Sequence, residues 1–255
     1  MIKFFSSFFF ILIATKSFGL ETLDKKKFYL NDTSQLPIHA FIPNNFKANL
    51  IAIIGGKGLK NELGKSQNFL KRNHLTFVQE GIAFYLFPNF NNKEKASYKL
   101  RGSPKRAKRI LGLVRHIKTL NNKPIFIIGF SRGSVDTGVF SLRYPSTIKG
   151  IIITSGIYNN NSEKAKNFSM EKIIGNQNKV KTLIVHHELD ACKVTIYQKT
   201  NTFFNNLNSP DKTLLNYTKG DASGRECGPY HYHGFEGIET KVTKDISQWI
   251  LSKIN

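Results

Sequence analysis

The sequence predicts an α/β protein with a mostly parallel central sheet and helices on both faces. Three observations carry that expectation. Short apolar runs recur along the chain, and amphipathic or polar stretches separate them. A serine flanked by glycines, Gly129-Phe130-Ser131-Arg132-Gly133, falls between one of those runs and the next amphipathic stretch.

The elements follow in chain order. Residues 1–19 stand apart: Lys3 gives a positive start, residues 4–14 are apolar except for Ser6 and Ser7, and Ser17-Phe18-Gly19 offers small residues for cleavage. That pattern predicts a signal peptide. The run is shorter than the roughly 20 residues of a permanent membrane span, so the mature chain is expected to start near Leu20 and to form one domain over 20–255. Segments 28–30 and 37–42 are expected to pair as antiparallel edge strands. The runs 50–54, 82–87, 125–128, 151–153 and 182–185 are short, often β-branched and bounded by Gly, Pro, Asn or charge. Strands buried on both faces of a parallel sheet read this way. Residues 212–217 supply a last strand.

Helices are predicted between the strands. Over 103–120, Ala107, Ile110, Leu111, Val114 and Ile117 make one stripe, with the basic residues expected opposite. Ser103 and Pro104 form its start signal. A second helix is expected over 135–143. A third covers 239–254, with Val242, Ile246, Trp249 and Ile250 inward. Segment 156–180 is polar and Asn-rich apart from a patch near Met170, which predicts a minimal cap and an open site.

The chemistry centres on Ser131. Gly129 to Gly133 matches G-x-S-x-G, the turn that holds a nucleophilic serine between strand and helix. A serine hydroxyl needs a base to take its proton, and the base needs an orienting carboxylate. In the order this arrangement requires, Asp190 follows the strand 182–185 and His233 precedes the final helix. Glu188 and His231 are the alternatives for the two roles. An oxyanion site needs two backbone N–H groups. Arg132, after the serine, supplies one; Lys57 or Gly56, in the Gly55-Gly56-Lys57-Gly58 loop, supplies the other. A phosphate-binding reading of that loop is weak, since no G-K-[ST] follows.

Charge and cysteines narrow the classes. The formal net charge of the 255 residues is +21, or +19 without Lys3 and Lys16. The lysines are scattered in a chain rich in Lys, Asn, Ile and Phe, as compositional bias produces. No recognised motif accompanies them, so no specific nucleic-acid partner is expected, only nonspecific attraction to anionic surfaces. Cys192 and Cys227 are the two cysteines. In an oxidising compartment they predict a disulfide that stabilises by about 3–4 kcal/mol. A competing reading gathers His186, His187, Asp190, Cys192, Cys227, His231 and His233 into a zinc site, with His231 and His233 on one side of an extended strand.

On these residues the chain resembles the α/β-hydrolase superfamily, in a bacterial exported branch of serine hydrolases. The resemblance rests on Ile54 to Gly58, Gly129 to Gly133, His186 to Cys192, and Cys227 followed by His233-Gly234-Phe235, and covers nearly all of the mature sequence. It implies the α/β-hydrolase fold and a Ser131–His233–Asp190 triad. It also implies that Cys192 pairs with Cys227, tying the acid loop to the histidine loop. Lys57 departs from similar sequences, which often carry an acidic residue there; that bears on substrate preference. The resemblance supplies no substrate; the expected activity is hydrolysis of a small-molecule ester, with amide or thioester behind it and neither cofactor nor metal. The competing class is a non-catalytic binding protein for an anionic ligand.

Overall fold

A computed structural model describes residues 23–60, 66–158, 165 and 167–254. The signal peptide expected over 1–19 lies outside them, as do residues 159–164 and 166 of the expected cap. Eight strands form one sheet: β1 (Asp24–Phe28), β2 (Ile38–Ile42), β3 (Ala48–Ile53), β4 (Ile82–Leu86), β5 (Ile125–Phe130), β6 (Gly150–Thr154), β7 (Lys181–His187) and β8 (Lys212–Tyr217). The helices are α1 (Phe69–Arg72), α2 (His74–Gln79), α3 (Tyr98–Arg101), α4 (Pro104–Leu120), α5 (Gly133–Arg143), α6 (Met170–Ile173), α7 (Gln198–Asn206) and α8 (Glu239–Ser252).

The strand order is β1-β2-β4-β3-β5-β6-β7-β8. β1 and β2 run antiparallel at the edge, and every pairing from β4–β3 onward is parallel. The expected mostly parallel sheet is thus the observed one. The first strand is displaced from the expected 28–30 to Asp24–Phe28, where Lys25, Lys26 and Lys27 lie exposed on the sheet edge. An edge strand needs no buried face, so apolar patterning does not mark it.

Alternation along the strands divides the core in two. Leu50, Ala52, Phe126 and Ile128 join Val242, Ile246, Trp249 and Ile250 of α8 and Phe77 of α2 on one face. Ile51, Ile53, Ile125 and Ile127 meet Ile110, Leu113, Val114 and Ile117 of α4 on the other. Both layers converge at the C-terminal end of β5, where the register pairs Gly129 with Ile53 and Ile153. Ligands of open α/β sheets bind outside the carboxyl ends of the strands.

One expectation for α4 needs correcting. Its basic residues do not all lie opposite the apolar stripe: Arg106 is buried. It bonds a carboxylate on α5, so charge pairing takes it into the core that periodicity reserves for apolar groups.

Candidate active site

Three loops at the carboxyl end of the sheet build the site. The first is the elbow after β5. Ser131 has φ +53°, a strained left-handed conformation for a non-glycine residue. The flanking glycines are steric requirements. A Cβ on Gly129 would lie 2.4 Å from the Gly133 carbonyl oxygen and from Thr137 Oγ1, and one on Gly133 would lie 2.1 Å from the Ile53 carbonyl oxygen. The turn is pinned from below by Ser131 N–H donating to Thr154 O (2.9 Å) and by Ser134 Oγ donating to Ser131 O (2.6 Å).

The second loop follows β7. Asp190 is buried, whereas Glu188 is exposed and its carboxylate accepts from the rim residue Tyr197 at 3.5 Å. The third loop follows β8 and carries His233 in a short 3-10 turn, Tyr232–Gly234, rather than on the extended strand that would have aligned His231 with it. His233 Nδ1 lies 2.9 Å from Asp190 Oδ2. His231 packs edge-on against Tyr232 instead. The Phe130 ring sits 5.0 Å from that of His233, and Ser155 Oγ donates to the His233 carbonyl at 2.8 Å, so the histidine loop is fastened beside the elbow. Asp190 and His233 are therefore joined directly, and the residue before Ser131 packs against the His233 ring. Among the described residues no hydrogen bond closes between Ser131 Oγ and His233, a bond that commonly tightens only when substrate binds.

Thr195, which the sequence did not single out, and His186, read there as a candidate zinc ligand, complete the acid. Thr195 Oγ1 donates to Asp190 Oδ2 at 3.0 Å and lies 3.2 Å from His233 Nδ1. His186 Nε2 lies 3.2 Å from Asp190 Oδ2 and 2.7 Å from the Thr195 carbonyl. Burial pushes the Asp190 carboxyl up, but the charge of His233 and the hydrogen bonds of His186 and His233 outweigh it. The net effect holds Asp190 well below the usual carboxylate range. Cys192 N–H donates to Asp190 Oδ1 at 2.9 Å, and the Cys192–Cys227 disulfide then ties this loop to the segment leading to His233.

The glycine loop after β3 lies against the elbow. A Cβ on Gly55 would meet Ser131 Cβ at 2.8 Å. Among the described residues the N–H groups of Gly56, Lys57 and Arg132 donate to no protein acceptor. The loop is held from behind by Arg101, which is fully buried. Its Nη2 donates to the carbonyls of Ile54 (3.0 Å), Gly55 (3.4 Å) and Gly56 (3.4 Å). In a trans peptide the C=O and N–H point in opposite directions. Drawing the Gly55 and Gly56 carbonyls toward Arg101 therefore turns the Gly56 and Lys57 N–H groups away from it. Arg101 also pairs through Nη1 with Asp136 of α5, and Arg106 Nε donates to the other Asp136 oxygen at 2.7 Å. One buried carboxylate thus couples the glycine loop to the helix behind Ser131. Asp136, the one acid of α5, is the signal in the sequence that points to a cation near that helix.

The zinc reading loses its ligands. Both cysteines are bonded to each other, and His187 faces the Lys219 carbonyl (3.0 Å) and Leu189 N–H (3.1 Å). Among the described residues no three His, Cys, Asp or Glu side chains gather as a metal-holding group.

No known protein family and no curated protein sequence matches the chain. Solved structures do. A dienelactone hydrolase from Anabaena variabilis superposes with a TM-score of 0.66 at 13% identity, covering 92% of this chain and 99% of its own. The esterase Pf2001 from Pyrococcus furiosus gives 0.64 at 14%, covering 92% and 93%. Est1E from Butyrivibrio proteoclasticus, solved with ferulic acid, gives 0.63 at 17%, covering 89% and 99%. The chain has the α/β-hydrolase fold.

Proposed function

We propose that the protein is an exported serine hydrolase that cleaves a carboxylic ester of a small molecule through an acyl-enzyme. The observation that carries this reading is the buried Asp190–His233 pair at 2.9 Å beside a serine held at φ +53°. A strained, glycine-flanked serine has no packing purpose, and a buried carboxylate aligned on one imidazole nitrogen leaves the other nitrogen free to accept a proton.

His233 Nε2 takes the Ser131 proton as Oγ attacks the substrate carbonyl. Asp190 holds the ring and stabilises the imidazolium that forms. The developing oxyanion accepts hydrogen bonds from the N–H of Arg132 and that of Lys57 or Gly56. His233 then protonates the leaving group, and water, activated by the same imidazole, releases the acid and restores Ser131. Amide and thioester hydrolysis would follow the same steps. Export is supported by the apolar run 4–14 and by the disulfide, which suits an oxidising compartment.

The test is steady-state and pre-steady-state hydrolysis of nitrophenyl esters of graded acyl length. A burst of nitrophenol stoichiometric with enzyme is the expected signature of an acyl-enzyme. Failure of the folded protein to turn over any ester of the panel would sink the reading.

A further inference from the structure

A groove of about 610 Å³ runs along α4 and shares no lining residue with the loops that carry Ser131, Asp190 and His233. Lys105, Lys108, Gly112, Arg115 and Thr119 follow one another at steps of three and four, which is one face of a helix. From Lys105 to Thr119 that face is about 21 Å long. Phe90 and the segment 29–32 after β1 form the other side.

Four properties make this face a binding site rather than ordinary basic surface. Its cations Lys105, Lys108, Arg109 and Arg115 meet one acid, Asp32, which is already held by Arg109 at 2.8 Å. Arg109 is only 8% exposed and donates to the Pro88 carbonyl, yet its Nη2 has no hydrogen-bond partner among the described residues. Gly112 lies mid-helix, where glycine costs about 1 kcal/mol relative to alanine. A Cβ there would meet nothing within 4 Å, so no neighbour requires the glycine, and its effect is to leave the groove floor open. Finally, Tyr29 stands 55% exposed at the wall, with Asn31 and Thr119 supplying neutral hydrogen-bonding groups.

We propose that this groove binds an acidic polysaccharide, a linear chain of sugars bearing carboxylates. The cations pair with the acid groups, the Tyr29 ring offers a flat face to a sugar, and Asn31 and Thr119 take hydroxyls. A concave channel excludes a flat bilayer surface. Single-stranded nucleic acid binds on successive aromatic platforms, whereas Phe90 is covered by Lys105 and Arg109 at 5.7 and 5.8 Å, leaving Tyr29 as the exposed ring.

The experiment is fluorescence anisotropy of a labelled, ester-free oligogalacturonate titrated with the purified wild-type protein, which reads binding independently of hydrolysis. Comparators are a neutral oligosaccharide of equal length, a single-stranded oligonucleotide of equal charge, and vesicles containing anionic phospholipid. The oligogalacturonate is expected to bind tightest. Lys105→Glu with Lys108→Glu should weaken it by on the order of tenfold or more, while the same charge change at Lys172 and Lys199, on α6 and α7, leaves it within about twofold. The decisive variant is Gly112→Leu, which alters no charge, places its Cβ against no neighbour and fills the groove floor: it should weaken binding at least about fivefold with an unchanged or raised Tm. Wild-type binding by Gly112→Leu, tighter binding of the oligonucleotide or vesicles, or no saturable binding at all would overturn the proposal.

Discussion

At the scale of single residues, Asp190 gathers the site. Its Oδ2 faces His233, His186 and Thr195 within 3.2 Å, and its Oδ1 accepts from Cys192 N–H. Ser131 contributes a hydroxyl that no packing contact needs, so Ser131→Ala should lower kcat by about 10³-fold or more and shift stability by less than about 1 kcal/mol. Ester turnover beside urea denaturation checks both. His187 and Asp190 are among the groups that set the pH dependence of stability, beside His74 and Glu236. His187 is depressed, chiefly by burial, so the folded state gains less from its protonation than the unfolded chain does. Its stabilisation is present above the ordinary value of 6.5 and is lost as pH falls through that value. Asp190 is depressed as a carboxylate, and its contribution is lost only below about pH 4. His187→Gln should flatten the fall in urea midpoint below about pH 6.5, and Asp190→Asn the fall below about pH 4. Unchanged slopes in both variants would contradict these assignments.

At the scale of elements, glycines in two helices make opposite predictions. Gly133→Ala at the start of α5 drives a Cβ to 2.1 Å from the Ile53 carbonyl oxygen, a backbone atom of a central strand that cannot shift cheaply. A loss of about 2–3 kcal/mol is expected. Gly112→Ala in α4 meets nothing and should stabilise by about 1 kcal/mol. Thermal melts of the two variants decide, and a shift of the same sign in both would be inconsistent with the packing described. The Arg101–Asp136–Arg106 cluster joins α3, α4 and α5 beneath the glycine loop. Arg101→Met leaves Asp136 with one cation fewer and frees three carbonyls of the loop, so about 3–5 kcal/mol of stability should be lost. Because the loop N–H groups lose their aim, kcat should fall further than KM rises. A variant with full stability and wild-type kcat would show that the cluster supports neither.

At the scale of the whole molecule, the sheet was legible because its central strands are buried on both faces and therefore read as unbroken apolar runs. The elbow was legible because its two glycines are forced by close contacts with backbone, Gly129 by its own turn and Gly133 by β3. What lay hidden was long-range pairing. Arg101 and Arg106 look like members of a basic surface stretch until Asp136, thirty-five and thirty residues on, is seen between them. Thr195 and His186 acquire meaning only when the loop after β7 folds back on Asp190. Strand β1 was misplaced because an exposed edge carries lysines rather than apolar alternation. The disulfide links two loops 35 residues apart, and reducing it should cost about 3–4 kcal/mol. Loss of activity should accompany it, since Asp190 and His233 lie on the tied segments. Equal melting with and without reductant would contradict that role.

The central claim, an activated Ser131, is tested most directly by labelling the purified mature protein with a fluorophosphonate probe and mapping the modified peptide. Stoichiometric modification at Ser131 is expected, abolished in Ser131→Ala and strongly slowed in His233→Ala. Well-folded protein that takes up no label, or that is labelled equally in the Ser131→Ala variant, would contradict it.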